Sequence, residues 1–203
     1  MLGAARMCMN AYSTIFAACA ALLLSSCGEI RGYAFSRETG EYTPQQFVNQ
    51  GYWDAAAAAS CTGPRCIVVD THRQQVDYFI GETQVGFSTC STGTAGRSTP
   101  KGTYKVLEKD ADHVSSTYGS IVDRDGNVLV ASYSQKNGGS IPPGGIYRGA
   151  PMNHAMQLTT WGIWMHEGDV TGAPESHGCI RLPAEMAKVF FENTPIGTTV
   201  IVR

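Results

Sequence analysis

Charge is scarce in this sequence, and neither sign dominates. Only 16% of its 203 residues are Asp, Glu, Lys or Arg, with 15 basic side chains against 17 acidic ones. No excess of positive charge marks a surface for nucleic acid or anionic lipid, so bulk charge selects neither as a partner. A hydrophobic run long enough to cross a bilayer is missing from the N-terminal region, where Ile15 to Leu24 is apolar but well short of the roughly 20 residues a spanning helix needs. Cys-x-x-Cys pairs and internal repeats are absent, and no histidine follows Cys179. What the chain does have is 43% hydrophobic residues with 23 glycines and 9 prolines. Spread along the sequence, they suit many short strands joined by tight turns in one or at most two domains.

The first 26 residues read as an export signal, with a lone positive charge at Arg6 ahead of the apolar stretch. Leu24-Ser25-Ser26-Cys27 resembles the bacterial lipobox, in which cleavage precedes a cysteine that carries the lipid. Cys27 would then begin the mature chain, and its acyl groups would tie a soluble domain to a membrane at about 0.8 kcal/mol per buried methylene. A plain secretory signal cut near Ser26 is the alternative. Residues 27–65 have little apolar periodicity and read as a lipid-anchored tether. Against this stands the run Ala55 to Ala59, which is strongly helix-forming and would suit a short helix packed on the domain.

From Cys66 to Arg203 short alternating segments take over, and this is the expected folded domain. Strands are predicted at Ile67–Asp70, through Val76, Tyr78 and Ile80, and at Val85 and Phe87. Ile121-Val122 and Val128 to Val130 flank Asp123-Arg124-Asp125-Gly126-Asn127 as a hairpin whose Asp-Gly supplies the turn. Ile163 to Met165 and Thr199 to Val202 complete the strands. One convincing helix opens at Pro183, with Glu185 in its first turn and Met186, Val189 and Phe190 on one face, and stops at Thr194-Pro195-Ile196-Gly197. The fold class is mostly β with one clear helix.

Chemistry concentrates between His166 and Arg181, where two histidines and a cysteine stand among small residues. A cysteine attacks as its thiolate and needs a neighbouring base or positive field to form it; His166 and His177 are both placed to supply one. Gly178 permits a sharp turn before Cys179, able to aim successive amides at a developing oxyanion. Arg181 adds a fixed positive charge suited to a substrate carboxylate or a loop carbonyl.

At these residues the chain resembles the L,D-transpeptidase catalytic domain, or YkuD, family. The signature there is an upstream His followed by Ser/Thr-His-Gly-Cys and then Arg or Asn, met by His166 and Ser176-His177-Gly178-Cys179-Ile180-Arg181. Ser91-Thr92-Gly93, Ser98-Thr99-Pro100-Lys101-Gly102, Pro151-Met152 and Trp161-Gly162-Ile163 extend the likeness over about 66–203. The resemblance implies a compact β-sandwich or barrel-like domain. It makes Cys179 the nucleophile, His166 the proton donor and acceptor, and His177 a neighbour that polarises or binds the reacting group. Amides near Gly178 and Cys179 would form the oxyanion hole, and Ser176 and Arg181 would meet substrate. It further implies peptidoglycan stem peptides as substrates and an envelope protein as a possible acceptor, with no metal or organic cofactor; the signal segment and Cys27 point to an exported, periplasmic, lipid-anchored location. The sequence departs from the usual pattern where Glu167, rather than glycine, follows the first histidine. Between Asp110 and Pro151 it also carries the hairpin and Asn137 to Gly145, a Gly/Pro-rich flap that would either cover the donor site or be an inert surface loop.

Other readings stay open. A papain-like order is disfavoured because its histidine follows the cysteine. A hydrolase on the same fold, an L,D-carboxypeptidase, would share nucleophile and base, and a silent peptidoglycan-binding lipoprotein would need neither. A structural zinc wants four ligands, and the His166–Cys179 stretch offers three. Cys90 is expected buried and inert, Cys61 and Cys66 are candidates for a small disulfide loop, His72 and His113 are expected in exposed turns, and His154 is a candidate for the groove edge.

Overall fold

A computed structural model describes residues 50–203; the expected signal segment and Cys27 lie outside the described residues. The alternation seen from Cys66 onward becomes a meander of β2 (Arg65–Asp70), β3 (Gln75–Ile80) and β4 (Thr83–Thr89). Strand alternation splits its side chains between two faces. Ile67, Val69, Val76, Tyr78, Ile80 and Val85 enter the main core, while Cys66, Val68 and Phe79 pack on the other side. The last strand, β11 (Thr199–Val202), lies parallel to β2 and antiparallel to β5 (Gly102–Lys105). With β1 (Gly51–Trp53) they form a six-stranded sheet in the order β1-β4-β3-β2-β11-β5.

The second sheet has five strands in the order β10-β9-β8-β6-β7. Its long members are β6 (Glu108–Val122) and β8 (Ile146–Gln157), with β7 (Val128–Ser134) along their far half. Its short members, β9 (Trp164–Glu167) and β10 (Ile180–Leu182), run parallel. The hairpin expected at Asp123 to Asn127 joins β6 to β7, and the Asp123 carboxylate accepts from the Asp125 and Asn127 amides at 2.9 and 2.8 Å. Between the sheets, Met156, Leu158, Met165, Ile180 and Leu182 meet the meander and the helix α2 (Ala184–Asn193). Phe190 of α2 is fully buried edge-on to Tyr78 at 5.2 Å, a burial that contributes about 2–3 kcal/mol. Pro183 sits one place earlier than expected, capping the helix in extended conformation rather than occupying its first turn.

The expected tether ends sooner than its composition suggested. Gly51, Tyr52 and Trp53 pair with Ser88, Phe87 and Gly86, and Trp53 packs edge-on against Tyr78 at 5.1 Å. The alanine run forms the helix α1 (Ala55–Ser60), with the Asp54 carboxylate accepting from the Ala57 amide at 2.8 Å. Residues 50–65 therefore belong to the fold, held by the pairing of β1 with β4 and by Trp53, Ala57, Ala58 and Cys61 against the main core. The Cys61–Cys66 disulfide does not form: Cys61 is free and packs against the main core, whereas Cys66, disulfide-bonded, faces the opposite side of β2.

Candidate active site

The parallel register of β9 and β10 sets Met165 beside Ile180 and His166 beside Arg181. Since Met165, Ile180 and Leu182 turn into the main core, alternation turns Trp164, His166, Cys179 and Arg181 to the other face. Cys179, immediately ahead of β10, accordingly packs with Trp164, Met152 and Ala155 in a separate small cluster.

His166 is only 7% exposed. Its Nδ1 lies 2.6 Å from the Glu167 carbonyl oxygen; an acceptor there requires the proton on Nδ1 and leaves Nε2 as the basic nitrogen. Burial pulls the imidazole down to about 4, with the Glu167 carbonyl opposing the shift and the charges of Arg181 and His113 reinforcing it. The Cys179 thiol, 3.6 Å from the Gly162 carbonyl, is pushed upward by burial, against the pull of the Trp164 amide and Arg181. At neutral pH the resting pair is a thiol with a neutral imidazole.

The turn into Cys179 is held from several sides. Gly178 has φ +120°, a conformation essentially reserved for glycine. Ser176, fully enclosed, accepts from the Gly178 amide at 3.1 Å and donates to the Cys179 carbonyl. Of the amides expected to face an oxyanion, that of Gly178 is thus engaged by Ser176. Thr99 Oγ1 accepts from the Gly93 amide at 2.9 Å and donates to the Gly178 carbonyl at 2.8 Å. Ser91 and Arg181 exchange backbone hydrogen bonds at 3.0 and 2.9 Å. Behind them the buried Gln74 side chain accepts from the Thr92 amide at 2.8 Å and donates to Thr92 Oγ1 at 2.7 Å. The nucleophile loop is fixed by groups whose hydrogen-bonding capacity is used inward.

The family model of the L,D-transpeptidase catalytic domain, YkuD, matches residues 64–202. The chain belongs to this family. Among solved structures, an L,D-transpeptidase from Mycobacterium smegmatis is 21% identical with a TM-score of 0.53, covering 68% of this chain and 58% of its own. L,D-transpeptidase 3 from Mycobacterium tuberculosis, in complex with a faropenem-derived adduct, is 22% identical with a TM-score of 0.51, covering 68% and 60%. A third, from Stackebrandtia nassauensis, is 18% identical with a TM-score of 0.50, covering 71% and 59%. At these identities the likeness is one of fold, and this L,D-transpeptidase domain spans less than two thirds of each relative's length. No curated protein matches the chain.

Within the L,D-transpeptidase domain the six residues singled out in the motifs come together around the β9–β10 edge, though not in equivalent settings. His177 is exposed, with its ring 4.3 Å from that of Tyr118; burial, Arg97 and Arg181 lower its pKa. Glu167, the departure from the usual glycine, gives its carbonyl to His166 and its carboxylate to His154 Nδ1 at 3.2 Å. Gly168 leaves room for the Arg181 stem, which a Cβ would meet at 3.0 Å. His154 meets Glu167 and the edge of Phe191. His113, expected in an exposed turn, instead lies in β6 opposite Met152 and stacks on Trp164 at 4.2 Å. The long strand pairing, hidden by the polar composition of β6, accounts for the difference. Cys90 is completely buried, and burial with the nearby Asp70 and Asp77 charges raises its pKa.

The arm of β6, β7 and β8 adds residues that the motifs did not indicate. A register irregularity after Val114, with Ser115 Oγ accepting from the Thr117 and Tyr118 amides at 3.3 and 3.0 Å, brings Tyr118 against His177. Lys136 and Asn137, in the 3₁₀ turn Gln135–Asn137 after β7, join Tyr118, Arg97, His177 and Gly178 around a cavity of about 270 Å³. Of the Gly/Pro-rich stretch expected either to cover the donor site or to be an inert loop, Asn137 at its start lines this cavity.

Proposed function

We propose that this chain is a peptidoglycan L,D-transpeptidase working through a thioester on Cys179. The observation that carries the reading is the pairing of β9 with β10, which puts a buried, tautomer-fixed His166 and the cationic Arg181 on the same face as Cys179. In the first half-reaction Sγ attacks the carbonyl that joins the third stem residue to the terminal D-alanine. His166 Nε2 takes the thiol proton as the S–C bond forms, then delivers it to the amine that leaves as the C–N bond breaks. In the second, an acceptor amine attacks the thioester and gives its proton through His166 to the departing sulfur. A neutral imidazole is the form this cycle starts from.

The acceptor determines the product. A side-chain amine of another stem yields a 3→3 crosslink, an amine of an envelope protein yields protein attachment, and water yields trimming by an L,D-carboxypeptidase. Ser176 shapes the turn and Arg181 supplies positive charge to the substrate or the intermediate, with His177 at the mouth. The Leu24 to Cys27 segment supports an exported domain held by lipid on Cys27, with the residues before 50 as the spacer.

Acylation tests the reading directly. A carbapenem, or faropenem, from which the adduct in the similar M. tuberculosis structure derives, should leave a mass adduct on Cys179 and none in folded Cys179→Ala. With wall fragments the wild type should release D-alanine and form stem dimers. Folded protein with no adduct and no D-alanine release would refute the enzyme, and tripeptides without dimers would make it a hydrolase.

A further inference from the structure

The cavity between the arm and the nucleophile loop is unbalanced in charge. Arg97 comes from the loop after Ser91-Thr92-Gly93, Lys136 from the turn after β7, and no carboxylate lines the space. Neither cation forms an ion pair with a carboxylate among the described residues; the ion pairs found there join His113 to Asp110, His154 to Glu167 and Arg203 to Asp70. Both cationic side chains are exposed at the cavity rim, whereas Gly178 at its floor is buried and adjoins Cys179. Tyr118 and Asn137 add a hydroxyl and an amide. Two exposed cations from separate segments, with neutral hydrogen-bonding groups beside them, make a receptor for a small anion with oxygen acceptors. The volume, about 270 Å³, is ample for a carboxylate and the small residue that carries it.

The substrate of the proposed reaction offers such an anion, and the role of the two cations rests on that reading. The terminal residue released in the first half-reaction carries a free carboxylate. Cys179 itself does not line the cavity, but its neighbour Gly178 does, and successive Cα atoms are only about 3.8 Å apart, so a carboxylate one residue beyond a scissile carbonyl at Cys179 is within reach of the cavity. We propose that Arg97 and Lys136 bind the C-terminal carboxylate of the donor peptide and so select stems with a free terminal residue. The arm is then a specificity element, and Lys136 on its turn completes the donor site from across the cavity.

The experiment compares a donor tetrapeptide bearing a free C-terminal carboxylate with the same peptide as its C-terminal carboxamide, following acylation of Cys179 in the full chain. Wild type should prefer the acid at least tenfold in kcat/KM. In Arg97→Gln/Lys136→Gln the acid-to-amide ratio should collapse toward one, with Arg97→Lys restoring part of it, a pattern that general damage to folding does not produce. A wild-type ratio near one, or an unchanged ratio in the double variant, overturns the proposal. So does discrimination that follows amidation of the acceptor stem instead of the donor. If neither peptide acylates Cys179, the transpeptidase reading fails separately. Calorimetric binding of the two peptides then decides the subsite, and equal affinities overturn it.

Discussion

At one edge of the five-stranded sheet, β9 and β10 are short, parallel and committed on one face to the main core through Met165, Ile180 and Leu182. At the other edge, β6 and β7 form an antiparallel ladder with solvent-facing apolar residues such as Val114, Val128 and Leu129. The first edge ties the position of each reactive side chain to a buried neighbour one residue away in sequence. The second holds its functional residues mainly by backbone pairing and a local irregularity in β6. Reactivity and stability should therefore move together at the nucleophile edge. On the arm, recognition should change with little effect on folding.

The largest expected effect separates the two histidines that straddle this divide. His166 is enclosed beside the core, whereas His177 is exposed and leans on Tyr118 of the arm. His166→Ala should lower kcat/KM by about 10²–10⁴, the usual contribution of a positioned acid–base group. His177→Ala should cost less than about tenfold, within what a polarising neighbour contributes. Steady-state rates of D-alanine release measure both. If the larger loss fell on His177, the proton shuttle would belong to the arm side.

Glycine substitutions give a smaller and more graded comparison. Gly178 has φ +120° and a Cβ there would lie 2.9 Å from Ile163 Cδ1, so Gly178→Ala incurs about 1–3 kcal/mol of strain. That should lower the melting temperature by several degrees and shift the adjoining Sγ enough to reduce kcat/KM by roughly ten- to a hundredfold. Gly144, in the connection to β8, also has positive φ, +78°, but nothing within 4 Å of a Cβ. Gly144→Ala should cost about 1 kcal/mol and leave kcat/KM within about twofold. Thermal melts with parallel rate measurements test the contrast, and equal losses at the two glycines would erase it.

The same division governed what the sequence made legible. The strands of the meander, the Asp-Gly hairpin and the helix after Pro183 were readable because apolar alternation or turn chemistry is written locally. So was the cluster of His166, Gly178, Cys179 and Arg181, since their separations along the chain are short. The place of Trp53 in the fold was not legible, because its ring contacts are with Tyr78 and Phe190, distant in sequence; for the alanine run the alternative of a short packed helix is the one observed. The placement of His113 on Trp164, and of Lys136 and Tyr118 beside the nucleophile loop, depends on the register of a long polar strand pair. Alternation of apolar residues does not encode that register when both faces are largely wet.

The smallest effect is one of pH, and it probes how closed the nucleophile edge is. Burial places the His166 imidazole at about 4 rather than its ordinary 6.5. A histidine with a depressed folded-state pKa binds fewer protons folded than unfolded between those limits. Stability therefore rises with pH across that window, and the contribution present above about 6.5 is lost as pH falls toward 4. A displacement of that size corresponds to roughly 3 kcal/mol, and His166→Gln should remove this slope from a series of denaturant melts. Catalysis should follow the same group. At pH 5 about 90% of an imidazole titrating near 4 is still the neutral base, against about 3% of one titrating at 6.5. The acid limb of kcat/KM should accordingly leave the rate almost unchanged from pH 7 to 5. A limb centred near 6.5 would mean that water reaches His166 freely, and the two edges of the sheet would then not differ in the way their packing implies.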